Sequence, residues 1–129
     1  MPGVLLDTHS WPLALVSSPR LTVRAATAMA DADSIGVSAI SMYEIAQKIR
    51  LGKWPEMTAH VAVLGEALIR QGFSLVPFTP EIAIAAGLLD WPHRDPFDRI
   101  LAATALVMGV DLISTDTVFD AVPGLRRMW

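Results

Sequence analysis

Carboxylates recur in this chain beside short apolar runs and at the starts of helical stretches. Asp7 follows Val4-Leu5-Leu6, and Asp116 follows Leu112-Ile113-Ser114. Asp95 and Asp98 open the stretch that leads into the Leu112 run, and Glu44 falls in the first turn of a helix expected from Ser41. Crowded carboxylates repel, which raises their proton affinity or pushes the chain apart. A hard divalent cation relieves the repulsion. Mg²⁺ and Mn²⁺ take oxygen ligands, and Mg²⁺ commonly keeps waters and adds phosphate oxygens. The chemistry that fits is phosphoryl transfer, in which the cation acidifies a water and neutralises charge on the scissile phosphate. Thr8 and Ser114 place hydroxyls next to Asp7 and Asp116, within reach of a ligand or an ordered water.

Each helix-start acid also has a structural explanation. Ser41 and Glu44 have the S-x-x-E spacing of a capping box, and Glu44 reaches Lys48 at i+4. Asp95 suits an N-cap, Asp98 suits the first turn near the helix dipole, and Asp116 could cap a short helix. Asp7 has only the general preference of turns for Asp. Capping alone, however, does not call for acids at successive strand ends.

The elements that would position these residues follow from apolar periodicity and punctuation. Short apolar runs predict strands at Val4–Leu6, Ile35–Ser38, Phe73–Val76 and Leu112–Ser114, with a last edge strand in the Gly124–Trp129 tail. Ser18-Pro19 predicts a helix to about Ala32, and Ser41 one to Leu51 with Gly52 as its stop. Thr58–Gln71 reads as a helix with Val61, Leu64 and Leu68 on one face. Thr79-Pro80-Glu81 opens another to about Leu89. Asp95-Pro96 opens a further one that stops at Gly109, and Thr117–Ala121 reads as a short last helix. Strands alternating with helices, without hairpin signals, argue for an α/β unit with a parallel sheet covered on both faces. In such sheets ligands bind beyond the carboxyl ends of the strands, and all five acids map to that edge.

Composition narrows the field. At 129 residues the chain is expected to form one domain over 1–129. Mean hydropathy is +0.45, which argues against disorder. Charge-free stretches such as Thr8–Pro19 and Ile100–Val110 fall short of the ~18–20 apolar residues of a membrane span, and no secretory signal is expected. Zero cysteines exclude disulfides, thiolate nucleophiles and Cys-type zinc sites and fit a reducing cytoplasm. The net charge of −3 gives no global attraction for nucleic acid, so such a partner needs a local patch or a bound cation.

Four segments in order carry a resemblance. They are Leu5-Leu6-Asp7-Thr8-His9; Ser41-Met42-Tyr43-Glu44-Ile45-Ala46 running into Arg50-Leu51-Gly52-Lys53; His93-Arg94-Asp95-Pro96-Phe97-Asp98-Arg99-Ile100-Leu101-Ala102; and Ser114-Thr115-Asp116. Together they resemble the PIN-domain ribonucleases, and among them the VapC-type toxins of toxin–antitoxin pairs. The resemblance implies a three-layer fold with a five-stranded parallel sheet in order 3-2-1-4-5. It implies Asp7, Glu44, Asp98 and Asp116 as catalytic residues and ligands of Mg²⁺ or Mn²⁺, with Asp95, Thr8 and Ser114 as auxiliaries. It also implies endonuclease action on RNA, dimerisation, silencing by a cognate antitoxin and a cytoplasmic location. Many members carry Thr where this chain has Ser114; a hydroxyl is retained.

Without the five site acids the formal net charge of −3 becomes +2. Lys48, Arg50 and Lys53 near the end of the Ser41 helix, and Arg94 and Arg99 beside Asp95 and Asp98, could hold RNA phosphates or simply solvate a helix face. The tail residues Arg126 and Arg127 are similar. His9, His60 and His93 have no HExxH spacing, and imidazole suits Zn²⁺ better than Mg²⁺, so none is read as a ligand. Trp11, Trp54, Trp91 and Trp129 could stack bases, though packing is the commoner role. The Val61–Leu68 face, with the uncharged part of the first helical region, is either a dimer or antitoxin contact or plain core. Two other functions use similar parts: an inactive PIN-fold binding module, and a receiver-like phosphoacceptor. The latter normally has paired acids after its first strand, an Asp after its third and a late Lys, none of which occurs here. An aspartyl-phosphate phosphatase would need a second Asp two residues after Asp7, where His9 stands.

Overall fold

The computed structural model describes residues 3–129, so Met1 and Pro2 of the expected unit lie outside the described residues. Five strands, β1 (Val4–Leu6), β2 (Ile35–Ser38), β3 (Ser74–Val76), β4 (Asp111–Ile113) and β5 (Arg127–Met128), form one sheet in order β3-β2-β1-β4-β5, with every pair parallel. Among the described residues six α-helices accompany them: α1 (Ser10–Leu15), α2 (Val23–Asp31), α3 (Ala39–Arg50), α4 (Leu64–Arg70), α5 (Pro80–Leu88) and α6 (Pro96–Met108). The expected topology is the observed one.

Strand alternation sets the layers, because successive side chains leave opposite faces of a sheet. On one face Val4, Leu6, Val37 and Ile113 pack with Trp11, Ala25, Ile45, Leu64 and Leu68 from α1 to α4. On the other, Leu5, Val76 and Leu112 pack with Leu101, Ala102 and Ala105 of α6 and with Trp91 and Phe119. The β2–β3 approach is close at Gly36, where a Cβ would lie 2.9 Å from Val76 Cγ2; glycine is the residue that permits it. Leu64 and Leu68 are buried, so the Val61–Leu68 face is largely core. Val63 and Ile69 of the same stretch are exposed, and a further group of exposed apolar residues, Leu75, Phe78, Ile84 and Leu88, lies around β3 and α5. Among the described residues no helix is long and apolar enough to cross a membrane.

Several boundaries differ from the sequence reading. The helix expected from Ser18-Pro19 starts a turn later. Ser18 Oγ accepts only from the Arg20 amide, while Thr22 Oγ1 takes the Ala25 amide at 3.1 Å and caps α2. The helix expected from Ser41 starts earlier, capped by Ser38, whose Oγ accepts from the Ile40 amide. Ser41 and Glu44 therefore make no capping box. Of Thr58–Gln71 only Leu64–Arg70 is α-helical, preceded by 3-10 turns at Pro55–Met57 and Val61–Val63, where β-branched valines disfavour the α-helix. Helix α1 is absent from the reading above. It is one short segment with Pro12 inside it, too brief to show a period.

Candidate active site

The site begins at the central strand. β1 is flanked by β2 and β4, so their carboxyl ends lie side by side where the strand order reverses, the crevice that α/β sheets use for ligands. Asp7 leaves β1 there and is buried. Its Oδ1 accepts from the Ser10 amide at 2.7 Å, and its Oδ2 accepts from the Ser114 hydroxyl. Ser114 Oγ in turn accepts from the Asp116 amide at 3.0 Å. One buried hydroxyl thus ties the β1 exit to the β4 exit. Asp7 also has a structural role, since Ser10 begins α1 and its amide would otherwise lack an acceptor. The D-x-x-S spacing ahead of a proline could have signalled this.

Glu44 is likewise buried. It sits in the second turn of α3 and meets Lys48 Nζ at 3.1 Å, with Lys48 more open to solvent than Glu44. Beneath it the Thr8 hydroxyl donates to Ser41 Oγ at 3.0 Å, both buried, which fixes the α3 start against the β1 exit. Thr8 therefore positions an element rather than presenting a free hydroxyl.

Asp95 caps α6, its Oδ1 accepting from the Phe97 and Asp98 amides at 2.9 and 3.3 Å. Asp116 caps the 3-10 turn at Thr117–Ala121 through the Val118 amide at 3.0 Å. Both are exposed, so the structural explanations hold and leave each carboxylate an oxygen toward solvent. Asp98 is partly buried and meets His93 Nε2 at 2.7 Å. Burial pushes the Asp98 carboxyl above the usual carboxylate value. The His93 hydrogen bond works against that rise, while the charges of Asp95 and Glu44 add to it. The Glu44 contribution places α3 and α6 acids in one electrostatic neighbourhood.

Among the described residues, the set whose ligand atoms all lie within 4.8 Å of one another is His93, Asp95 and Asp98. Asp7, Glu44 and Asp116 are not part of that set. The donors fit a hard cation: carboxylate oxygens, two of them buried, with Lys48 as the paired cation at Glu44. His93 was missed as a site residue. Its contact to Asp98 spans five residues across the Pro96 turn and has no motif of its own.

The basic residues divide. Arg99 does not face solvent as a phosphate ligand. Its guanidinium donates to the carbonyls of Ala86 (3.1 Å), Leu89 (2.6 Å), Trp91 (2.5 Å) and His93 (3.0 Å), clamping the loop that leads into α6. Its planar fork of donors is suited to that task. Arg127 is also committed. It is bidentate to Asp120 at 2.8 and 3.0 Å and donates to the Ser114 carbonyl at 3.1 Å. That pairing raises the Arg127 pKa and holds Asp120 below the usual carboxylate value. Arg126 lies 3.5 Å from Asp111. Arg50, Lys53 and Arg94 are exposed, and Lys48 bridges Glu44 to His9 Nε2 at 3.2 Å.

Comparison with known proteins gives the family and the fold. The family model described as PIN domain matches residues 4–125. The chain is 32% identical over 128 residues to Ribonuclease VapC22 of Mycobacterium tuberculosis, covering 90% of this chain and 88% of that one. Among solved structures it resembles VapBC2 from Rickettsia felis bound to a promoter DNA fragment, with a TM-score of 0.71, 18% identity and 97% and 96% of the two chains covered. It also resembles DNA-bound VapBC from Salmonella typhimurium, with a TM-score of 0.67, 19% identity and 98% and 97% coverage.

Proposed function

The chain belongs to the PIN domain family, and on that premise we propose that it is a VapC-type ribonuclease toxin with one PIN domain over 1–129. The reaction is divalent-cation-dependent hydrolysis of RNA phosphodiesters. Asp7, Glu44, Asp98 and Asp116 would hold Mg²⁺ or Mn²⁺, directly or through water, with Asp95 as an auxiliary. The observation that carries this reading is the burial of two carboxylates, Asp7 at the end of β1 and Glu44 in the second turn of α3, the helix that follows β2. Among the described residues Asp7 has only uncharged donors and Glu44 has Lys48 alone, so a cation offsets the remaining cost of two buried carboxylates.

When bound, such a cation supplies Lewis acidity: it acidifies water and neutralises phosphate charge. The residues supply position and proton transfer. Asp7 is held on both oxygens, by the Ser10 amide and the Ser114 hydroxyl, so its geometry is set before substrate arrives. Asp98, whose proton affinity is raised by burial against the opposing pull of its hydrogen bond to His93, is the carboxylate best prepared to take a proton, and His93 orients it. Lys48 limits repulsion between Glu44 and an incoming phosphate. Exposed Arg50, Lys53 and Arg94 supply phosphate contacts that set register without reading sequence.

Two protein partners belong to the proposal. A cognate antitoxin is supported by the likeness to VapBC complexes. A second copy of the chain is supported by the exposed Ile84 and Leu88 on α5, an apolar surface of the kind oligomers cover. The proposed location is the cytoplasm.

The test is cleavage of a mixed RNA pool by antitoxin-free protein with Mn²⁺, with Mg²⁺ and with EDTA, beside Asp7→Asn. Cation-dependent cutting that falls at least ~10²-fold in Asp7→Asn supports the proposal. Undiminished cutting by that variant refutes the site. Neither cutting nor cation binding by the wild type would replace the nuclease reading with a binding module.

A further inference from the structure

Beside the acids lies a cleft of about 550 Å³ whose walls include His9, Arg20, Lys48, Lys53, Trp54 and Thr115. That volume is within the ~300–1,000 Å³ of small-molecule sites. His9 and Thr115 are near neighbours in sequence of Asp7 and Asp116, and Lys48 of the same wall pairs with Glu44, so the cleft adjoins the proposed cutting centre. The His9 and Trp54 rings stack, with centroids 5.0 Å apart and planes 29° from parallel. Lys48 Nζ lies 5.9 Å from the Trp54 ring centroid, 3.2 Å from His9 Nε2 and 3.1 Å from Glu44. An ammonium only donates, so His9 Nε2 accepts and the imidazole is held in one orientation. Trp54 packs against the core cluster while His9 is exposed. The outer member of the stack is therefore open, and the inner member is anchored.

We propose that the His9–Trp54 stack is a base-stacking subsite of the nuclease. It would take one unpaired nucleotide flanking the scissile phosphate, with the adjoining phosphates met by Lys53 and Arg20. This rests on the RNA-cutting function proposed above and adds where an RNA base is held. An aromatic platform with cations around it is what single-stranded nucleic acid uses: bases extend the ring stack and phosphates meet the cations. Arg20, Lys48 and Lys53 outnumber the one acid of the wall, Glu56. A base within a duplex keeps its faces covered by its neighbours, so the subsite selects single-stranded segments.

The probes are a labelled single-stranded oligo(A) and an abasic ribose-phosphate oligomer of equal length, bound with EDTA present and followed by fluorescence anisotropy. The two carry the same phosphates, so their affinity ratio reports the bases alone. The wild type is expected to prefer oligo(A) by roughly tenfold or more, the scale of one stacked base. His9→Ala and Trp54→Leu should erase the preference while leaving abasic binding unchanged, and Trp54→Phe should restore most of it. Lys53→Ala should weaken both probes alike. Circular dichroism checks that Trp54→Leu folds; if it does not, His9→Ala at its exposed position decides. A wild type with no preference, or a preference that survives His9→Ala, overturns the subsite. RNA cleavage by the wild type, assayed in parallel, separates the two ideas. Cleavage with no ring-dependent preference removes the subsite alone, and a ring-dependent preference without cleavage removes the nuclease reading alone. Failure to bind either probe overturns the subsite and leaves the cleft to a protein segment.

Discussion

Removing the Ser114 hydroxyl should weaken both the fold and the reaction, and the two effects can be separated. In Ser114→Ala, Asp7 Oδ2 loses its donor and the Asp116 amide loses its acceptor. A hydrogen bond to a charged group contributes about 1.5–3 kcal/mol and a neutral one about 0.5–1.5 kcal/mol. Ser114 and Asp7 are buried, so water replaces little of the first. The Asp116 amide is nearer solvent and recovers part of the second. The loss is then about 2–3 kcal/mol. For a chain between the sizes usually tabulated, that lowers Tm by roughly 5–15 °C. A displacement of Asp7 by about 1 Å should cut kcat/KM on RNA by about 10²-fold. Ser114→Thr keeps the hydroxyl but adds a methyl at a fully buried position, where overpacking costs about 1–3 kcal/mol. It should therefore melt early yet cut near the wild-type rate, so that activity follows the hydroxyl and stability follows packing. Thermal melts and initial cleavage rates on the same preparations give both numbers. A Ser114→Ala protein that melts early but cuts normally would refute the positioning role. One that also melts normally would refute the contact.

Other consequences follow from the same contacts. Arg99→Ala strands four carbonyl acceptors in a half-buried loop and should cost about 2–4 kcal/mol in denaturant melts. Arg99→Lys should rescue little, because one ammonium cannot span the four carbonyls; full rescue would contradict the clamp. Mn²⁺ at 100-fold its Kd should stabilise the wild type by about 2.7 kcal/mol, and Asp7→Asn should lose most of that gain in the same melts. In the cation-free protein, Asp98 should titrate above the ordinary carboxylate value and Asp120 below it, read by carboxyl NMR. The signs for stability are opposite. Between the unfolded value of 3.8 and its raised folded value, Asp98 holds a proton that the unfolded chain has shed, so its contribution falls as pH rises through that window. The contribution of Asp120 is complete above 3.8 and is lost as pH falls through its lower folded value. Asp120→Asn should flatten the acid limb of the melting curve, and an unchanged limb would contradict the Arg127 pairing.

What was legible in the sequence is what local rules govern. The strands and the acids that follow them are read from short apolar runs and helix stops, whereas the strand order is what the resemblance to the PIN-domain ribonucleases implies. The helix-capping roles of Asp95 and Asp116 were equally visible, because a cap is a contact within three residues. Contacts made by tertiary approach were not. The His9–Trp54 stack, the Lys48–His9 contact and the Ser114–Asp7 hydrogen bond join residues far apart in the chain, and no periodicity reports them. Arg99 shows the opposite error: a guanidinium beside two acids reads as a phosphate ligand until its donors are found filled by carbonyls.

Setting a structural role against a chemical one for each acid proved too simple. Asp7, for which no helix was foreseen, helps to start α1, and Glu44, for which a capping box was available, does not cap α3. Capping leaves a carboxylate oxygen free and is compatible with cation binding, so its presence decides nothing. Burial discriminates better. A cap at the surface is solvated and needs no other partner. Asp7 and Glu44 are withdrawn from water and must be offset by donors or cations. The described partners of Asp7 are an amide and a hydroxyl, which carry no formal charge. Its negative charge is therefore the strongest reason to place a cation beyond β1, and Asp7→Asn is the substitution that most directly removes the need for one.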